Sequence, residues 1–177
     1  MGFDKLTALF AGEPLARRVA RALLSLEPVF VTTARVAEAI SDIPGVRVIV
    51  TEPTAGPGAT LALAHAALAP DACLAVLACD LPFLDAERVR GFVERVPGDV
   101  DLAWPVVGEI PGHPVLWSPR ARERIPALRD DEPPMRVRRD PALRTAALAE
   151  LDDAHVLDVD TPESWARGEE RAKRARP

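Results

Sequence analysis

Short apolar runs and helical patterns alternate through the first hundred residues of this chain. The runs PVFVTT (28–33), VRVIVTE (46–52) and CLAVLAC (73–79) are partly β-branched, which is typical of buried strands. Apolar residues at helical spacing mark four helices, at 15–26, 34–43, 59–69 and 85–96. This alternation predicts an α/β fold with a mostly parallel sheet covered on both faces.

The second half of the sequence is less regular. DLAWPV (101–106), HPVLW (113–117) and HVLDVD (155–160) predict strands, and RTAALAEL (144–151) favours a strand over a helix. SPRARERIPAL (118–128) and the segment from Thr161 predict helices, with DDEPPMRVRRD between them as a loop or lid. No repeat or linker interrupts the pattern, so we expect one domain over residues 1–177.

Composition argues against two classes of partner and indicates one compartment. The 177-residue chain has a formal net charge of −5, so it lacks bulk positive charge to attract nucleic acid. No apolar run approaches the roughly 20 residues of a membrane span, and MGFDKLTALF lacks the pattern of a signal peptide. Cys73 and Cys79 lie about 20 Å apart if both are on one strand, too far for a disulfide. We expect reduced, buried thiols and a cytoplasmic protein that binds neither nucleic acid nor membrane.

The segment LAVLACDLPFL (74–84) ends an apolar run on Asp80, and Pro82 stops the strand. Ligands of open α/β sheets bind outside the carboxyl ends of the strands. In the middle of a buried strand this carboxylate would cost several kcal/mol or become neutral. Asp80 could instead cap the next helix, but Asp85 is better placed for that cap. We therefore expect Asp80 to face the crevice and hold a metal ion.

Two more carboxylates end the predicted strand HVLDVD. Asp158 and Asp160 alternate with the apolar Leu157 and Val159, which places both carboxylates on one face. Asp160 also suits the cap of the last helix, a role that does not exclude metal binding. Two aspartates from separate strand ends can bracket one Mg²⁺ together with water and phosphate oxygens. No Cys/His cluster has zinc spacing, so Mg²⁺ is the expected metal.

Three further features are candidates for binding a polar or anionic ligand. TAGPGAT (54–60) opens a helix with glycines, so its backbone N–H groups could face a ligand, or it could be only a tight turn. Lys5 offers a compact cation for phosphate, although a lone lysine is more often solvated. His113 of GHPVLW is also a candidate, although lone histidines are more often structural. His65 and His155 receive no role.

Together these stretches resemble the nucleotidyltransferases that mature the molybdenum cofactor, the guanylyl- and cytidylyltransferases of molybdopterin. The matching text is MGFDK, AGEPLARRV, AGPGATLALA, LACDLPFL, PGHPVLW and VLDVDTPESW. The six segments keep the order and spacing of the family's motifs across nearly the whole chain. Their joint occurrence is more specific evidence for the resemblance than any single segment. The resemblance implies a Rossmann-like, three-layer α/β/α fold. The resemblance does not decide between GTP and CTP as the donor, although the segments GHPVLW and GPGATLALA are slightly more similar to the cytidylyltransferase branch.

The resemblance also implies roles for particular residues. Asp80 of the C-D-x-P motif would bind Mg²⁺, with Asp160 of D-x-D-T-P as the second carboxylate and Lys5 on the triphosphate. The residues on the nucleotide side would be Gly56, Pro57, Gly58 and His113. A terminal phosphate of a molybdopterin-type acceptor would attack the α-phosphorus of GTP or CTP and release pyrophosphate. A molybdoenzyme or its chaperone would be a further partner.

One departure from the family concerns its first motif. The first strand, the glycine-rich phosphate loop and its arginine, which precede Met-Gly-x-Asp-Lys in the family, are missing from this sequence. The retained Lys5, Asp80 and Asp160 favour a gene start assigned too late, and a catalytically degraded nucleotide-binding relative is the alternative. Without a first strand we expect a slot between the strands at 28–33 and 73–79, so that the chain is either poorly stable or self-associates through that slot. A phospho-receiver domain with Asp80 as acceptor would leave Asp158 and Asp160 unexplained.

Overall fold

The computed structural model describes residues 4–174, so residues 1–3 of the family-like start MGFDK lie outside the described residues. The strands are β1 (Leu9–Phe10), β2 (Glu13–Pro14), β3 (Val29–Thr32), β4 (Arg47–Val50), β5 (Leu74–Val76), β6 (Leu102–Val107), β7 (Ile110–Pro111), β8 (Val115–Trp117) and β9 (Thr145–Glu150). The helices are α1 (Leu15–Ala22), α2 (Ala34–Ile40), α3 (Pro57–Ala66), α4 (Ala86–Arg95), α5 (Pro119–Arg122) and α6 (Pro162–Arg174). The predicted α/β class is confirmed.

The main strands form two groups. β3 and β4 are a parallel pair, and the larger group has the order β5-β8-β6-β7, with β9 parallel to β6. β8 runs antiparallel to both β5 and β6, so β5, β6 and β9 share one direction. The sheet is therefore mostly parallel, with β7 and β8 running against the other strands.

Local sequence signals account for the starts of two helices, α4 and α5. The Asp85 carboxylate accepts a hydrogen bond from the Arg88 N–H at 2.9 Å, which confirms the predicted cap of α4. The Ser118 hydroxyl accepts one from the Ala121 N–H at 3.1 Å and begins α5. Within residues 4–174, every helix is too short or too polar to cross a bilayer.

Three sequence predictions are corrected. Residues 155–160 do not form a strand, because Asp153–His155 is a 3₁₀ turn and residues 156–160 pair with no strand of the described chain. β5 ends at Val76 rather than at residue 79, since β8 begins opposite that residue and offers no later partner. Cys73 is exposed rather than buried, although both thiols are free as expected.

Buried apolar side chains form two separate clusters. The first joins α1, α2 and α4 around Leu15, Ile40 and Val89. The second joins α3, β6 and β8 around Leu61 and Trp117. A cavity of about 870 Å³ lies between β3 and β5 and is lined by members of both clusters, in the position of the predicted slot.

Candidate functional site

Lys5, Asp80 and Asp160 meet at one point beyond the carboxyl end of β5. The Lys5 ammonium lies 2.6 Å from Asp80 Oδ2 and also donates a hydrogen bond to Asp160 Oδ1. The Asp80 side chain is only 17% exposed, whereas that of Asp160 is 52% exposed. Three predicted site residues, separated by up to 155 positions, thus share one charged contact.

The turn that carries Asp80 is held by contacts on both sides. The Val159 N–H donates to the Asp80 carbonyl oxygen at 3.2 Å, which joins the segment before Asp160 to this turn. Arg18 Nε donates to the Pro82 carbonyl oxygen at 3.1 Å, and its guanidinium lies 6.0 Å from the Phe83 ring centroid. Sequence reasoning missed Arg18, because an arginine in a helical pattern looks like part of a solvated face.

The charges of the site are strongly interdependent. Partial burial alone would lower the pKa of Lys5, but hydrogen bonds to Asp160 and Asp80 outweigh it and raise that pKa. The hydrogen bond from Lys5 lowers the pKa of Asp160 below its usual range. Partial desolvation raises the pKa of Asp158, and the negative charges of Asp160 and Asp80 raise it further. Asp158 therefore belongs to the same electrostatic group.

The donor set at this point fits a hard cation. Asp80 and Asp160 converge on the single positive charge of Lys5, so their oxygens are close enough to share one cation. In the described part of the chain, no three His, Cys, Asp or Glu side chains cluster as a complete metal site. Mg²⁺ characteristically takes one or two carboxylates and fills its remaining positions with water and phosphate oxygens. The two aspartates suit that pattern.

His113 lines the cavity between β3 and β5, and its hydrogen bonds join elements that lead to the site. Its Nδ1–H donates to the Val76 carbonyl oxygen at 3.2 Å, and its backbone N–H donates to the His155 carbonyl oxygen at 2.9 Å. His155 is 2% exposed, and its Nδ1–H returns a hydrogen bond to the His113 carbonyl oxygen at 2.6 Å. A Cβ on Gly112 would lie 2.4 Å from the His155 oxygen, so the approach requires glycine. His155, to which the sequence assigned no role, anchors the segment leading to Asp158.

The glycine loop before α3 packs under another loop. A Cβ on Gly56 would lie 2.7 Å from the Asp130 carbonyl oxygen, and one on Gly58 would lie 2.2 Å from that of Arg129. The Ala59 N–H, at the start of α3, donates to the same Asp130 oxygen at 3.2 Å. Pro57 occupies the first turn of the helix. The two glycines therefore allow a close backbone crossing.

The glycine loop is not in direct contact with the charged point. Among the described residues, no hydrogen bond joins Gly56, Pro57 or Gly58 to Lys5, Asp80 or Asp160. The structure thus brings together Lys5, Asp80 and Asp160, supports them through His113, and places the glycine loop under residues 129–131.

The chain was compared with models of known protein families, and it matches a family of nucleotidyltransferases. The model of the MobA-like NTP transferase domain matches residues 1–157 of the chain. A search of curated proteins gives no significant match.

Solved structures have the same fold at low sequence identity. A nucleotidyl transferase from Methanothermobacter is 21% identical, with a TM-score of 0.79 over 97% of this chain and 86% of that one. Molybdopterin-guanine dinucleotide biosynthesis protein A from Archaeoglobus fulgidus is 19% identical, with a TM-score of 0.72 over 98% and 92%. A Mycobacterium tuberculosis protein solved in complex with manganese is 20% identical, with a TM-score of 0.74 over 96% and 93%. With the family match over most of its length, the chain belongs to the MobA-like NTP transferase domain family and is a nucleotidyltransferase.

Proposed function

We propose that this protein transfers GMP or CMP from the nucleoside triphosphate to a terminal phosphate of a molybdopterin-type acceptor, with release of pyrophosphate. The observation that carries the proposal is the convergence of Lys5, Asp80 and Asp160 at a strand's carboxyl end. In open α/β sheets this is where ligands bind. The family match and the likeness to a molybdopterin-guanine dinucleotide biosynthesis protein support the choice of acceptor.

Each residue of the convergent group has a distinct task in this proposal. Asp80 and Asp160 hold Mg²⁺, which supplies charge neutralisation and orientation of the triphosphate. Lys5 moves from the two carboxylates to the triphosphate oxygens, where its compact positive charge balances the pyrophosphate that leaves. A related protein was solved with manganese, which supports a divalent ion at such a site.

The nucleotide side of the site is proposed to involve Gly56, Pro57, Gly58 and His113. The loop at residues 129–131 covers the glycine loop and contributes an exposed, charged surface through Arg129 and Asp131. We place the reaction in the cytoplasm, where free thiols such as Cys73 and Cys79 persist.

Asp80→Asn tests the proposal because it keeps the size of the side chain and removes its charge. The assay measures pyrophosphate release from GTP and, separately, from CTP, with a molybdopterin acceptor and Mg²⁺. We expect at least a hundredfold loss of turnover, on the order of what a lost electrostatic contact costs, and loss of the parent's activity with a chelator. The donor that the parent turns over identifies the specificity.

Asp99→Asn is the matched control, since Asp99 is an exposed aspartate paired only with the surface residue Arg144 in the described contacts. Its turnover should equal that of the parent. Metal-independent turnover unaffected by Asp80→Asn would contradict the roles given to Asp80 and Mg²⁺. Nucleotide-induced thermal stabilisation without any pyrophosphate release would favour the alternative, a nucleotide-binding relative that has lost catalysis.

A further inference from the structure

The two carboxylates of the site are both carried by segments without strand structure. β5 ends at Val76, so Asp80 follows on an irregular stretch of chain. Residues 156–160 pair with no strand of the described chain, so no ladder of hydrogen bonds fixes the place of Asp160 either. The separation of the two carboxylates therefore depends on a few individual contacts between these segments.

Backbone hydrogen bonds make the segment 153–160 compact. The N–H groups of residues 156–158 donate to carbonyl oxygens within the segment at 3.0–3.1 Å. The next N–H, that of Val159, donates to the Asp80 carbonyl oxygen at 3.2 Å. Consecutive bonds of this kind make a stretch of chain move as a unit. A shift at the start of the segment is therefore carried on to Asp160.

The start of this segment is anchored at His155. Its ring Nδ1–H donates to the His113 carbonyl oxygen at 2.6 Å, and the His113 N–H donates back to the His155 carbonyl oxygen at 2.9 Å. The His155 side chain is buried, and its ring centroid lies 6.3 Å from that of Phe92. Two hydrogen bonds of opposite direction thus tie the segment to His113.

His113 extends this tie to the segment that carries Asp80. Its ring Nδ1–H donates to the carbonyl oxygen of Val76, the last residue of β5, at 3.2 Å. The chain runs from Val76 directly to Asp80. The two carboxylate-bearing segments are therefore joined twice, near their starts through His113 and His155 and beside Asp80 through Val159.

We propose that His155 is a positioning residue for the metal site, which holds Asp160 at the distance from Asp80 at which both carboxylates bind one divalent ion. His155 acts here on the metal site of the proposed function, on which this inference rests. The group that acts is the ring Nδ1–H, which touches neither the metal ion nor the substrate. Partners outside the ligand shell typically change metal affinity by roughly 10- to 100-fold.

Two substitutions of His155 separate its hydrogen bond from the bulk of its ring. The amide nitrogen of asparagine lies close to the position of Nδ1, so His155→Asn keeps a donor for the His113 carbonyl oxygen. The amide nitrogen of glutamine lies closer to the position of Nε2, so His155→Gln stays polar but loses that donor. Both variants replace the buried ring by a side-chain amide.

Mn²⁺ binding to the full chain without nucleotide is the readout. The electron paramagnetic resonance signal of the free ion gives both the dissociation constant and the number of sites. We expect the dissociation constant to rise about tenfold or more in His155→Gln and to stay within about twofold of the parent in His155→Asn. A purely structural role would lower the number of sites and leave the dissociation constant unchanged.

His65→Leu is the matched control. His65 is a half-buried histidine whose Nδ1 accepts a hydrogen bond from Arg122 Nε at 3.3 Å. In the described part of the chain, no hydrogen bond joins His65 to the segment 153–160. Its replacement thus removes a contact of the same kind elsewhere in the molecule, and the Mn²⁺ dissociation constant should equal that of the parent.

Equal dissociation constants in the parent, His155→Asn and His155→Gln overturn the proposal. An equal rise in the two variants, or a similar rise in His65→Leu, overturns it as well, because the Nδ1–H would then not be the group that acts. Absence of Mn²⁺ binding by the parent, or binding that Asp80→Asn leaves unchanged, is a different result. It overturns the proposed metal site itself, and the role of His155 with it.

Gly112→Ala is a second variant for the case in which His155→Gln does not fold. The added Cβ would lie 2.4 Å from the His155 carbonyl oxygen, so it displaces the same contact and leaves both histidine rings in place. We expect a raised Mn²⁺ dissociation constant, and a parental value overturns the proposal. Failure of both variants to fold, with parental binding by His155→Asn, shows a structural role only and also overturns it.

Discussion

At the scale of single residues, the charge of Lys5 governs the neighbouring carboxylates. Replacing Lys5 with Met removes the hydrogen bond that is the main cause of the lowered pKa of Asp160. We expect that pKa to rise toward the ordinary value of 3.8. The carboxyl ¹³C shift followed against pH measures it. Lys173→Met, which removes an exposed lysine on α6, should leave the titration unchanged. An unaltered Asp160 pKa in Lys5→Met would show that the ion pair does not form in solution.

The same pair gives a defined dependence of stability on pH. The folded-state pKa of Asp160 is lowered below its ordinary value of 3.8. The contribution of Asp160 to stability is therefore fully present above pH 3.8 and is lost as the pH falls through the lowered, folded-state pKa. The folded-state pKa of Lys5 is raised above its ordinary value of 10.5. The contribution of Lys5 to stability is therefore fully present below pH 10.5 and is lost as the pH rises through the raised, folded-state pKa. The pair therefore stabilises the fold between these limits. Because both side chains are partly exposed, we expect at most about 1 kcal/mol.

At the scale of elements, the start of α3 depends on its crossing with residues 129–131. Gly58→Ala would place a Cβ 2.2 Å from a backbone oxygen, so one of the two segments must move. We expect a loss of about 1–3 kcal/mol in the free energy of unfolding, as for an overpacked site. Urea denaturation followed by circular dichroism measures it.

Gly98→Ala is the matched control for that crossing, since an added Cβ there meets nothing within 4 Å. Its free energy of unfolding should stay within about 0.5 kcal/mol of the parent. Equal stability of Gly58→Ala and Gly98→Ala would mean that residues 129–131 do not rest on the glycine loop in solution. If the Gly58→Ala protein bound nucleotide with the parent's affinity, that result would contradict the proposed role of the glycine loop in nucleotide binding.

At the scale of the whole molecule, a buried arginine ties the second hydrophobic cluster together. Arg122 is 1% exposed and donates to the backbone carbonyl oxygens of His65, Ala69 and Ala72. These contacts join α5 to the end of α3 and to the loop before β5. We expect Arg122→Met to cost about 3 kcal/mol or more in the free energy of unfolding, because three backbone carbonyl oxygens lose their hydrogen bonds to a charged, buried donor. Urea titration measures this loss, and Arg138→Met, at an exposed arginine, should be nearly neutral. A neutral Arg122→Met would contradict the structural role.

Local patterns were enough to predict the order of most elements. Apolar spacing located β3, α2, β4 and α4, and the capping residues Asp85 and Ser118 located two helix starts. These signals are readable because a cap or an amphipathic face depends on residues within one or two turns. The segment at 155–160 shows where this logic fails. Its alternation resembles a strand, and Val159 is indeed buried between two exposed aspartates, but no strand pairs with it in the described chain.

What the sequence by itself determined is the set of chemical groups: a strand-end Asp80, an Asp160 beside a helix start, and a Lys5 whose importance came from resemblance. Only the tertiary structure decided that these three share one contact, since 75 and 155 positions separate Lys5 from its partners. It also decided that His155 and Arg122 are buried on backbone carbonyls. Every residue has a carbonyl, so no pattern of side chains in a sequence marks the one that will face a distant donor.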